Sequence, residues 1–195
     1  MEYKAITGEN FYLNELKNTS QYIIENGFPE NLRIELKKHD VLDCVSESNF
    51  NKKFFSINKR IISLTELLKK ELYSTDVTTA KFINLYSILC SERFIAEFMD
   101  EVIREKYENF NYSLREGDFS NFLEHKINQS DTVNKWTEAA QKKMIIKVKN
   151  FLSEGGYIKK LQDKEYEIMK PIVDNVVINE IRENGNKNIL KIMLY

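Results

Sequence analysis

The sequence predicts a mainly α-helical fold with one small C-terminal β-hairpin. Only six glycines and two prolines occur among 195 residues. No proline lies between Pro29 and Pro171, so most of the chain lacks a strong helix breaker. Along these stretches apolar residues recur every three or four positions, as on the buried face of a helix. The pattern changes only after Gly155 and Gly156, where two short segments typical of a hairpin begin.

The first part of the chain predicts three helices, at residues 9–26, 29–39 and 48–72. Gly27 suits the C-terminal end of the first helix, and Pro29 suits the first turn of the second. Residues 74–76 (Ser-Thr-Asp) offer a helix N-cap. We place a domain boundary at this break, between an N-terminal helical domain (residues 1–74) and a C-terminal domain (residues 75–195).

The C-terminal part predicts helices at 77–90, 91–108, 117–128 and 132–154, a hairpin of 157–161 with 165–170, a helix at 171–184, and a packed tail at 186–195. A short helix, a turn, a longer helix and a hairpin resemble a winged helix-turn-helix. In that arrangement the helix before the hairpin enters the major groove of DNA. At 23 residues, the helix at 132–154 is long for this role, so part of it is equally interpretable as a structural spine.

Several classes of function find no support in these residues. The chain has 29 Lys and Arg and 30 Asp and Glu, so it lacks the overall basic charge of a typical nucleic-acid-binding domain. The only histidines, His39 and His125, lie among charged residues, and no set of Cys and His has the spacing of a zinc site. We therefore expect no enzymatic activity, no metal, no cofactor and no small-molecule substrate.

The sequence also predicts the cellular location of the protein. No apolar stretch reaches the length of a membrane span, and the N-terminus lacks the pattern of a signal peptide. Cys44 and Cys90 lie far apart and are expected to be free thiols in a reducing compartment. We predict a cytoplasmic protein without a membrane partner. The acids of residues 97–108 follow helical spacing with basic residues between them, which is typical of a solvated helix face.

Basic residues are distributed unevenly and form two clusters. Residues 132–164 contain eight lysines and three acids, a local charge of +5 in a chain with a total of −1. Residues 51–72 contain six basic residues and two acids, a local charge of +4. Lysines that neutralise phosphates release condensed counterions, which drives non-specific nucleic-acid binding. Lysine-rich faces are also common on helices that bind nothing, so charge alone leaves both interpretations open.

The binding interpretation names a set of candidate residues. Lys135, Lys142 and Lys149 are seven positions apart and nearly opposite the apolar stripe of the predicted helix, so they are expected to form one exposed line. Polar residues near the start of that helix and lysines of the hairpin complete the predicted surface. The candidates are Lys52, Lys53, Lys59, Arg60, Asn134, Lys135, Thr137, Gln141, Lys142, Lys149, Lys159, Lys160 and Lys164.

Three stretches of sequence carry a family resemblance: NKRIISLTELLKKEL from residue 58, FINLYSILCSERFIAEFMDEVIREKYENFNYSLREGDFSNFLEHK from residue 82, and TVNKWTEAAQKKMIIKVKNFLSEGGYI from residue 132. They resemble the BrxA family, small proteins encoded in BREX (bacteriophage exclusion) operons. The resemblance spans about residues 11–171. It depends on a run of apolar, arginine and aspartate positions: Arg93, Phe94, Phe98, Val102, Arg104, Tyr107, Asp118, Phe122 and Gly155.

The resemblance implies a non-enzymatic helical component of an anti-phage system, for which binding to double-stranded DNA has been proposed. Fold and operon context alone do not establish function, and three hypotheses follow. The chain binds duplex DNA, chiefly by phosphate contacts. Alternatively it is an adaptor that docks onto other BREX subunits through aromatic-rich surface. A third possibility is RNA binding, because a likeness to the NusB antitermination fold has been noted for the family.

Overall fold

The computed structural model describes residues 1–195 and is mainly helical, which confirms the predicted fold class. The first half contains α1 (Leu13–Asn26), α2 (Leu32–Lys38), α3 (Glu47–Ile62), α4 (Glu66–Ser74), α5 (Val77–Leu89), α6 (Arg93–Phe98), a π-helical segment (Met99–Arg104) and α7 (Glu105–Glu108). The second half contains β1 (Ser113–Arg115), α8 (Glu116–Gln129), α9 (Asp131–Asn134), α10 (Glu138–Glu154), β2 (Ile158–Gln162), β3 (Glu165–Ile168), α11 (Asn175–Asn184) and α12 (Lys187–Leu194). None of these helices combines the length and apolar composition that crossing a membrane requires.

Local capping sets several helix boundaries where the sequence predicts them. Gly27 follows α1 with a φ of 79°, a conformation that favours glycine. The Asp76 carboxylate accepts hydrogen bonds from the backbone N–H groups of Thr78 and Thr79, at 2.8 and 3.1 Å, and so caps the start of α5. The break at residues 74–76 therefore exists as predicted.

Two of the predicted long helices are wrong, for the same reason. Residues 48–72 form α3 and α4, because the Thr65 hydroxyl accepts from Leu68 N–H at 3.2 Å and starts a new helix. Residues 132–154 form the single turn α9 and then α10, because Thr137 caps Ala140 N–H at 3.2 Å. In both cases the spacing of apolar residues continues across a threonine, but that threonine caps a new helix and so divides the predicted one.

A single hydrophobic core of 42 buried residues draws on elements from both halves of the chain. Its centre is α5, which is buried from Phe82 to Leu89 and contacts α1, α3, α4, α6, α10 and α12. Gly155 ends α10 against this helix, since a Cβ there would lie 2.7 Å from Leu85 Cδ2. The core is thus continuous across residue 74, and the division into two domains stays a prediction.

The hairpin is part of a three-stranded antiparallel sheet in the order β1, β3, β2. Residues 109–114 are predicted to be a simple connection, but their end enters β1, which pairs with β3 in the register Leu114 opposite Tyr166. The hairpin strands pair with Ile158 opposite Ile168, and a bulge lies between Lys160 and Gln162. Leu114, Ile158 and Ile168 are buried and fix the base of the sheet on the core.

The C-terminal segment packs against the sheet and the core. Helix α11 begins at Asn175, capped by Asp174, rather than at Pro171 as predicted. The predicted packed tail is the amphipathic helix α12. The Tyr157 hydroxyl, which is fully buried, donates to the Met193 carbonyl at 3.0 Å. This bond ties the start of β2 to the C-terminal helix.

Candidate nucleic-acid interface

Arg60 is one of the predicted binding residues, but the structure places it in the interior of the protein and not on its surface. It is 0% exposed, and its guanidinium donates to the carbonyls of Phe11 at 2.5 Å and Asn10 at 2.7 Å. It also pairs with the Glu9 carboxylate at 3.5 Å. These bonds hold residues 9–11 against α3. A phosphate could reach Arg60 only if this segment left the core.

Most neighbouring cations of α3 and α4 are also committed to carboxylates. Lys59 bonds both Glu9 and Glu92, and burial raises the pKa of Glu92, although Lys59 opposes that shift. Lys53 pairs with Glu15 at 2.9 Å and donates to the Leu42 carbonyl at 2.8 Å. Of the predicted candidates at residues 51–72, only Lys52 is exposed and free of an acidic partner.

Lys149 does not continue an exposed line of lysines. Its ammonium group lies 2.6 Å from the Glu116 carboxylate and 4.7 Å from the centre of the Phe119 ring. Its side chain is 17% exposed. Lys135 lies between α9 and α10 rather than on α10. The predicted seven-residue stripe is therefore not one helical line, because α10 begins only at Glu138.

The start of α10 presents cations that have no acidic partner. Asn134, Lys135, Thr137, Lys142 and Lys143 are all exposed, and none of the three lysines makes an ion pair within 4 Å. Gln141 is half-buried and donates to the Trp136 carbonyl at 3.1 Å, which fixes the turn before the helix. The buried side of α10 is formed by Met144, Val148, Phe151 and Leu152.

The hairpin contributes lysines, but it also contributes acids that the cluster at 132–164 leaves out. Lys159, Lys160 and Lys164 are exposed, and Lys160 lies 3.6 Å from Asp163. Lys164 occupies the turn with a φ of 63°. Glu165 and Glu167 follow in β3, and Glu165 pairs with Arg115 at 3.4 Å. The hairpin is therefore less basic than the exposed start of α10.

One buried network was missed by sequence reasoning. The Lys126 ammonium group, 3% exposed, lies 2.7 Å from Glu97 and 2.5 Å from Glu101. Tyr3 and Arg93 donate to the same Glu97 carboxylate at 2.6 Å each. Burial raises the pKa of Glu97, but these hydrogen bonds outweigh it and hold the pKa below its usual value. The signal in the sequence is weak, because Lys126 is one of several charged residues on α8.

Comparison with known proteins identifies the family. A sequence model of BrxA matches residues 1–185 of the chain. The chain belongs to the BrxA family. A BrxA relative from Bacillus cereus (strain H3081.97), described as a BREX protein, is 30% identical over 173 residues, which cover 88% of this chain and 86% of that protein.

The BrxA fold is also found in a solved structure. The crystal structure of an uncharacterized protein from Magnetospirillum magneticum superposes with a TM-score of 0.80 at 19% identity. The match covers 100% of this chain and 99% of that one. At this identity the likeness concerns the fold alone. The family resemblance noted in residues 11–171 is confirmed by the sequence model, which extends it to residues 1–185.

Proposed function

We propose that this BrxA-family chain serves BREX phage defence without enzymatic activity, by binding duplex DNA through the exposed start of α10 and the hairpin. The observation that carries the proposal is the difference between the two basic clusters. Lys135, Lys142 and Lys143, at the start of α10, are exposed and lack acidic partners. Most lysines of α3 and α4, by contrast, pair with carboxylates, namely Lys53, Lys59 and Lys69. Cations without partners are available to displace counterions from phosphates.

The order of elements supports a winged helix-turn-helix interpretation of the C-terminal part. Helices α8 and α10 are followed by the β2–β3 hairpin, and β1 adds a third strand beside β3. In such domains the second helix of the pair lies in the major groove while the hairpin contacts the sugar-phosphate backbone. In this chain α10 corresponds to the helix in the major groove, and Lys135 and Thr137 lie just before its first residue. Lys159 and Lys164 of the hairpin would contact the backbone.

A titration by fluorescence anisotropy tests the proposal. Labelled duplex DNA, single-stranded RNA and a structured RNA hairpin are each titrated with the full chain at several salt concentrations. We expect duplex DNA to bind best and the logarithm of its association constant to fall linearly with the logarithm of salt, by about 0.9 for each phosphate contacted. No binding to the duplex at about 50 mM salt contradicts the proposal. Preference for either RNA supports the antitermination-like alternative instead.

An adaptor role is the second candidate, favoured by apolar side chains exposed beside the sheet. Phe110 is 83% and Ile172 92% exposed. Their segments lie next to each other, because Ile168 N–H donates to the Tyr112 carbonyl at 2.8 Å. Exposed apolar surface of this kind is typical of protein contacts. If the chain binds purified BREX subunits, Phe110→Ser should weaken that complex in a pull-down and leave duplex affinity unchanged.

A further inference from the structure

The exposed side of α10 combines cations with two apolar residues. Ala139, Lys142, Lys143, Ile146 and Asn150 are exposed, and each lies three or four residues from another member of this set. They therefore share one side of the helix, opposite its buried side. Ile146 is 52% exposed although it is a large apolar residue in the middle of this side. The Asn150 side chain makes no hydrogen bond within the protein.

This combination matches the chemistry of the major groove. There, thymine presents a 5-methyl group that apolar side chains contact, and adenine presents N6 and N7, which bind an asparagine amide in a bidentate manner. Lysines beside such residues bind phosphates or guanine. From the proposed function, on which this step rests, we infer that Ile146 reads thymine methyl groups and that the preferred ligand is duplex DNA containing A·T pairs in the major-groove site.

The spacing of the apolar residues adds a geometric expectation. Ala139 and Ile146 are seven residues apart, which corresponds to about 10 Å along a helix. Successive bases along one strand rise by about 3.4 Å. Two thymines contacted by these side chains therefore lie about three base pairs apart when the helix follows the groove.

Charge favours a duplex over an apolar protein partner at Ile146. A shallow groove between Ile146 and α8 is lined by Leu123, Ile127, Lys142 and Lys149, and its far wall carries Glu124, which is exposed and has no cationic partner. That carboxylate repels phosphates. Lys142 and Lys143 lie one turn before Ile146, and an apolar protein partner covering Ile146 would have to desolvate them. The duplex avoids that cost because its phosphates pair with both ammonium groups.

The test removes the methyl groups and nothing else. Two duplexes of the same A·T-rich sequence, one with thymine and one with deoxyuridine throughout, are titrated with the full-length chain. We expect the thymine duplex to bind more tightly, by roughly fourfold for each methyl group contacted, as burial of one methyl-sized group predicts. Ile146→Ala should reduce that difference by the share of one methyl contact, roughly fourfold, while keeping the salt dependence. Ile34→Ala, at an isoleucine 58% exposed on α2, is the matched control and should keep the wild-type ratio.

The outcomes separate this inference from the proposed function. Equal binding of the two duplexes with a steep salt dependence overturns thymine reading and leaves DNA binding in place. Binding of neither duplex overturns DNA binding itself. If Ile146→Ala keeps both duplex affinities at wild-type values, Ile146 contacts no base and thymine reading by this residue is overturned. Circular dichroism of both variants confirms that they remain folded.

Discussion

The two basic clusters, at residues 51–72 and 132–164, have nearly the same local charge but differ in whether the fold pairs their cations with acids. In α3, Arg60 and Lys59 pair with Glu9 of the N-terminal segment, so a carboxylate within the protein neutralises their charge. Around α10, Lys142 and Lys143 stand in solvent without acidic partners. The difference shows that charge summed over a stretch of sequence does not measure charge available to a ligand. What matters is whether the fold brings an acid to each cation.

The largest effect expected from this comparison is on stability. Arg60→Leu should lower the free energy of unfolding by about 3 kcal/mol or more, because it leaves the Asn10 carbonyl unsatisfied and removes a partner of the buried Glu9. Urea unfolding followed by circular dichroism measures it. Lys52→Ala is the control, an exposed lysine of the same helix, and should change stability by less than about 0.5 kcal/mol. A folded Arg60→Leu chain of wild-type stability that no longer binds DNA would reverse the comparison.

The next effect concerns DNA affinity. Replacing Lys135, Lys142 and Lys143 together by alanine should lower duplex affinity by roughly 10²–10³-fold at about 0.1 M salt and reduce the salt slope by nearly three. Removing the exposed lysines Lys4, Lys52 and Lys70 alters the total charge equally and serves as the control. If both triple variants lose the same affinity, binding depends on total charge and not on a surface around α10.

Features set by local sequence could be predicted, and those that join distant residues could not. Gly27 and Asp76 end and start helices through their own backbone and side chain, and both positions are readable from the sequence. The caps at Thr65 and Thr137 are equally local. The spacing of apolar residues continues across both threonines, however, and that spacing predicts one long helix where the structure has two. Attention to threonine followed by glutamate would have found both.

The burial of Arg60 and the strand β1 depend on partners about 50 residues away. Arg60 bonds Phe11 and Asn10, and Leu114 of β1 lies opposite Tyr166. No spacing rule within a helix or a hairpin links such positions, since the contacts exist only once the core has formed. For the same reason the sequence could not show which lysines of the candidate site meet an acid.

The buried network at Lys126 extends the comparison, because it shows that the C-terminal half also pairs a lysine with carboxylates inside the protein. Glu97→Gln should lower the free energy of unfolding at neutral pH by about 2 kcal/mol, as expected for hydrogen bonds to charged groups. The hydrogen bonds outweigh burial and hold the pKa of Glu97 below its usual value, so its stabilisation is complete above the unfolded pKa of about 4.3. It is lost as pH falls through the lower, folded pKa.

Stability measured from neutral pH into acid checks this sign. The difference between the wild type and Glu97→Gln should shrink as pH falls below about 4. Tyr3→Phe removes one of the hydrogen bonds to the same carboxylate and should show the same trend with a smaller amplitude. A gap that widens in acid would mean that burial dominates the titration of Glu97.

The smallest effect tests the one lysine of the α10 cluster that resembles those of α3. Lys149 is paired with the partly exposed Glu116, so a double-mutant cycle with Lys149→Ala and Glu116→Ala should give a coupling free energy of about 0.5–1 kcal/mol in unfolding. The ion pair occupies the ammonium group, and Lys149→Ala should therefore change the salt slope of duplex binding by well under the 0.9 or so expected per phosphate contact. A full change in slope with no coupling would show that Lys149 leaves Glu116 when DNA binds, and would return it to the binding surface alongside Lys142.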